Sequence, residues 1–108
     1  MNAKDEFDKS LIQTIDIKLK HVFGEAGTSV IYNYLKSALS LPQNEIPKKL
    51  DVFTEGLTRF LSSGAMVVEK VILIDLYSEF GQEFHSREGF KFVDYVNELK
   101  AALVKNDD

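Results

Sequence analysis

His21 and His85 are the only two imidazoles in the 108-residue chain, and no cysteine accompanies them. A divalent ion needs three or four ligands of this kind, so a site would have to recruit carboxylates. His21 stands four residues before Glu25, the spacing that puts two side chains on one helical face, but Gly24 falls between them and is expected to end that helix. His85 lies between Glu83 and Glu88 in a polar stretch and reads as a solvated loop histidine. Without cysteine, disulfides, thiolate catalysis and Cys-type zinc sites are excluded together. The six glycines, at 24, 27, 56, 64, 81 and 89, form neither GxGxxG nor GxxxxGK[ST], so no phosphate cradle arises. Carboxylates are plentiful, yet each candidate pair falls on a face expected to be exposed, not on an apolar wall that would shift a pKa. No catalytic, cofactor-binding or metal-ligating residue is therefore nominated, and the chain reads as non-enzymatic.

The net charge of −4 argues against a phosphate-binding surface, because non-specific nucleic-acid affinity comes from clustered Lys and Arg. The basic clusters are small and diluted by acids: Lys18, Lys20 and His21 in one, Lys48 and Lys49 in the other. The turn Ser62-Ser63-Gly64 has the length of a helix-turn-helix link, but the segment after it is the most apolar of the chain, the wrong chemistry for reading a groove. A weak nucleic-acid regulator is the third-ranked reading and predicts affinity that falls steeply with salt. The start, MNAKDEFDKS, is polar and acidic where a signal peptide is basic and then apolar, and no run approaches the eighteen or so apolar residues of a membrane span. A cytoplasmic protein without membrane contact is expected.

The elements that would carry any surface are helical. One domain is expected over residues 1–108, all-α, a bundle of about five helices. Phe7, Leu11, Ile15, Leu19 and Val22 recur every three or four residues and predict a helix over 5–23, stopped by Gly24. Thr28 is the expected N-cap of a second helix with Val30, Ile31, Tyr34, Leu35 and Ala38 on its apolar face, ended near residue 41 by Pro42. PQNEIPKKLD then reads as a loop pinned by Ile46 and Leu50. A third helix starts near its cap Asp51, and Gly56 inside it predicts the close approach of another helix.

Ten of the thirteen residues from 65 to 77 are apolar. A sixteen-residue segment at 65–80, with no partner strand elsewhere, predicts a helix buried at the centre of the bundle. A last helix is expected over 88–105, capped by Ser86. Its residues Phe92, Val96, Leu99 and Leu103 are spaced four, three and four, the pattern of a coiled-coil seam. They serve either as a contact seam for a protein partner or a second copy of the chain, or as the strip that finishes the monomer core. A rival reading is a cavity for an apolar ligand between the helices, lined by Tyr32, Tyr34, Tyr77 and Phe84.

Three segments, FDKSLIQTID, IYNYLKSALSLPQNEIP and FTEGLTRFLSSGAMVVEKVILIDLY, together resemble the small archaeal Nitrosopumilus output domain. The shared pattern is an FDxxLxxTID helix, an EIP turn before a helix, and a glycine followed by an apolar helix, over about residues 7–81; the last helix lies outside it. The resemblance implies a cytoplasmic helical output or interaction module in signalling and carries over no active-site residue.

Overall fold

Phe7, Leu11, Ile15 and Leu19 form one stripe and are all buried, whereas Val22, expected on the same stripe, is exposed, and the helix begins earlier than expected and continues past Gly24. In the computed structural model, which describes residues 2–106 and side chains through Val104, α1 runs Ala3–Leu39. Gly24 breaks it without stopping it: its φ of 74° and ψ of 176° turn the axis within a single residue, and helix resumes at once. The expected cap at Thr28 is thereby corrected. Thr28 sits one turn into the second limb, buried, and its hydroxyl donates to the Gly24 carbonyl at 2.7 Å, satisfying an acceptor at the kink. The bend is held from the side by the Tyr32 hydroxyl, which donates to Asp16 Oδ1 across it at 2.8 Å.

The second limb ends at Ser40, in the left-handed region with φ 54°, where the amides of Ser40 and Leu41 both return to the Leu35 carbonyl. Pro42 follows that stop and does not cause it. The segment expected as a loop contains a 3-10 helix, Gln43–Lys48, with Ile46 and, after it, Leu50 buried as anticipated. Helix α2 (Leu50–Leu61) starts one residue before Asp51, so Asp51 lies in its first turn and is not its cap. Ser62 and Ser63 form the turn into α3 (Gly64–Glu79), and a longer connector leads to α4 (Phe92–Asn106). Ser86 lies in that connector; the cap of α4 comes from Asp94, whose carboxylate accepts the Lys91 amide at 2.9 Å.

These five helical segments contain no strand among the described residues, and the radius of gyration of 13.5 Å is close to the roughly 13 Å expected of one packed domain of this length. No helix among them is long and apolar enough to cross a membrane. The core collects Phe7, Leu11 and Ile15 from α1, Phe53 and Leu57 from α2, Ile72 and Leu76 from α3, and Phe92 and Val96 from α4. Asp107 and Asp108 lie outside the described residues.

The α2–α3 turn holds a serine where glycine is favoured. Ser62 has φ 53° and ψ −130°, a conformation that costs a β-carbon of order 1 kcal/mol or more. Ser62→Gly is expected to stabilise the chain by about 0.5–1 kcal/mol, read as a higher urea midpoint with an unchanged slope.

Candidate functional site

The four seam residues come together on α4, but they face inward. Phe92, Val96 and Leu99 are buried and Leu103 is partly buried against the same core, with Phe92 6.0 Å from Phe53 of α2 between ring centroids. The strip thus finishes the core of its own chain and offers no exposed seam. Lys100, next to it, reaches Asp8 of α1 at 2.8 Å and fixes the register of the last helix on the first. Of the other apolar residues on this segment, Phe90 precedes the helix, Val93 and Val104 are half-buried, and Ala101 is exposed.

Helix α3 departs in the opposite sense. Ala65, Val68, Ile72, Leu73 and Leu76 fill the core, as its apolar content required, and the helix packs against α1, α2 and α4. It is not covered all round. Met66 is 75% exposed, Val67 65% and Ile74 49%, and with Lys70 they fall within an arc of about 100° when each residue advances the helix by that angle. The register against α1 is set by Thr14, whose hydroxyl donates to Glu79 Oε2 at 2.5 Å, and by the Lys18–Asp75 ion pair at 3.8 Å. One further four-residue step along each helix brings the exposed Val22 of α1 level with Val71. The apolar face of α3 therefore continues toward the edge of α1.

A cleft of about 730 Å³ opens beside this face. Asp51, Thr54 and Thr58 of α2 form one wall, Met66, Glu69, Lys70 and Leu73 of α3 another. The rest comes from the connector, with Phe84, Ser86, Phe90 and Lys91, and from Phe92, Val93 and Tyr95 of α4. The connector is held in shape by its aromatic residues. Phe84 meets Tyr77 and Tyr95 edge-on at 5.4 and 5.0 Å, and Phe90 lies 5.2 Å from Tyr95. The Tyr77 hydroxyl donates to the Tyr95 carbonyl at 2.9 Å; the Tyr95 hydroxyl accepts the Arg87 amide at 2.7 Å and donates to the Arg87 carbonyl at 3.1 Å. Arg87 spans Glu98 and the face of Phe90, with its guanidinium carbon 3.8 Å from the ring centre.

The four residues of the rival reading do not converge on this cleft. Tyr32 is taken up by Asp16 and its hydroxyl is pushed well above its ordinary pKa, first by burial and then by that carboxylate; Tyr34 packs on Phe60 at 5.4 Å. Neither lines the cleft, Tyr77 lies behind its wall, and only Phe84 of the four faces it. His21 and His85 are exposed, and no cluster of three ligating side chains occurs among the described residues.

Glu69 is the group in this region that sequence patterning missed. It is half-buried in the cleft, makes no hydrogen bond or ion pair among the described residues, and burial raises its pKa above the ordinary 4.5. The charged groups around the same cleft are Asp51 from α2, Lys70 on α3 and Lys91 before α4. A raised acid pKa means that the folded chain holds the proton more tightly than the unfolded one. The contribution of Glu69 to stability therefore falls as pH rises from about 4.5 through its folded value, and the destabilisation persists at neutral pH. Glu69→Gln should remove that slope and raise the neutral-pH melting temperature relative to wild type. Parallel melting curves at pH 4 and pH 7 check it, and a variant less stable than wild type at pH 7 would contradict it.

The segment FDKSLIQTID has a structural account residue by residue. Phe7 stacks on Phe80 at 5.6 Å, Asp8 takes Lys100, Leu11 and Ile15 are buried, Thr14 bonds Glu79, and Asp16 holds Tyr32 and Lys20. Phe7, Asp8, Leu11, Thr14 and Ile15 tie the first limb of α1 to other elements, and Asp16 ties it to the second limb of the same helix. No protein-family model, curated protein or solved structure matches the chain.

Proposed function

We propose that the chain is a non-enzymatic protein–protein interaction module of cytoplasmic signalling, and that the exposed face of α3 is its contact surface for a second copy or another protein. The observation that carries this reading is Met66, Val67 and Ile74 standing in water on one side of a helix whose other side fills the core. An apolar face of that kind on an ordered helix is characteristic of association. The resemblance of residues 7–81 to an archaeal output domain supports the signalling assignment and adds no chemistry to it.

Light scattering over a wide concentration range tests it, paired with the double variant Val67→Glu/Ile74→Glu. The wild type should approach twice its 12.3 kDa at high concentration, while the variant stays at the monomer mass with an unchanged circular-dichroism spectrum. A wild type that remains monomeric assigns the face to a different protein, to be captured with wild type and lost with the variant. If the variant alters neither mass nor capture, α3 is not the surface.

A further inference from the structure

We infer that the cleft between α2, α3 and the approach to α4 binds a small amphipathic amine, its apolar or aromatic body on Met66, Phe84 and Phe90 and its ammonium on Glu69. This goes beyond the docking reading and does not depend on it. The volume of about 730 Å³ lies within the roughly 300–1,000 Å³ of ordinary small-molecule sites, and three helices and a braced connector contribute to the walls.

The polarity of the ligand follows from what the cleft leaves unsatisfied. Glu69 is a carboxylate half-withdrawn from water without a partner among the described residues. A cation placed on it supplies the missing charge, and the gain is larger than for a solvated acid because the site has already lost part of its water. The Arg87 guanidinium already lies on the Phe90 ring, so the ligand's ammonium is directed to Glu69 and not to that face. The opposite choice, an anion on Lys70 and Lys91, gains less: both lysines are exposed, and pairing exposed charges contributes little.

Titration followed by two-dimensional amide NMR, with 2-phenylethylamine, 2-phenylethanol and 3-phenylpropionate as probes, decides it. The amine should shift the amides of residues 66–73, 84 and 90, and bind at least tenfold more tightly than the alcohol or the acid. Glu69→Gln should fold as wild type and lose at least tenfold in amine affinity, while Lys91→Ala should keep it. Equal or tighter binding of 3-phenylpropionate overturns the proposal and hands the cleft to the lysines. So does full retention of amine binding in Glu69→Gln, or the absence of shifts with any probe at millimolar concentration.

Discussion

Leu99→Glu is expected to leave the chain largely unfolded at 25 °C, without passing through a folded monomer. Leu99 is 4% exposed, and removing a buried leucine side chain alone costs about 2–5 kcal/mol. The glutamate adds an unpaired carboxylate in an apolar setting, which costs several kcal/mol more or forces α4 to detach. Total stabilities of domains this size are about 5–15 kcal/mol, so little or nothing is left. Far-UV circular dichroism and a urea titration read the outcome. The same substitution separates the two roles open to Phe92, Val96, Leu99 and Leu103 from their spacing. A seam used only between chains would yield a folded monomer after the change; a strip that closes the core yields an unfolded chain.

The second large effect is expected at Gly56, in the middle of α2. A β-carbon there would meet Leu35 Cδ2, and Leu39 Cδ1 at 2.8 Å, both from the second limb of α1. Two effects oppose each other in Gly56→Ala: about 1 kcal/mol gained in helix propensity and about 1–3 kcal/mol lost to overpacking. Overpacking should win by about 1 kcal/mol, because Leu35 is fully buried and has no free rotamer to retreat into. Gly56→Val forfeits most of the propensity gain and drives two further methyl groups into the same contact, for about 3 kcal/mol. Urea midpoints across the series measure both. Adding Leu39→Ala should recover part of the loss in Gly56→Ala, a coupling that a purely local backbone effect would not show. A more stable Gly56→Ala would show that the helices part easily at this crossing.

Much of this architecture was legible in the residues because helical periodicity and glycine placement report local geometry. The stripe from Phe7 to Leu19, the anchoring of Ile46 and Leu50, the helix following Gly64 and the close approach at Gly56 all follow from spacing alone. The errors share a physical origin. Gly24 reads as a terminus because its conformational freedom suits both an end and a kink, and the choice between them depends on Asp16 and Tyr32 meeting sixteen residues apart. A helix apolar on every side, such as α3, gives no periodic signal to say which side the rest of the chain will cover. The coiled-coil spacing of α4 suits a partner chain and the chain's own core equally well, since both reward the same stripe. Glu69 is hidden from the spacing for the complementary reason: an acid in an apolar helix reads as its solvent mark, whereas α2 and the connector shade it.

The clasp between α4 and α1 also bears on how the molecule comes into being. Asp8 and Lys100, ninety-two positions apart, meet only after nearly all of the described chain has left the ribosome. Until then Phe53 lacks Phe92, and a nascent chain made of α1 to α3 presents an open apolar trough where α4 will lie. The final helix acts as a late lid on that trough, so the interval between synthesis of α3 and arrival of α4 is when this protein most needs shielding from its neighbours. Slow translation across residues 80–91 would lengthen that interval, and a truncated product ending there would be expected to aggregate.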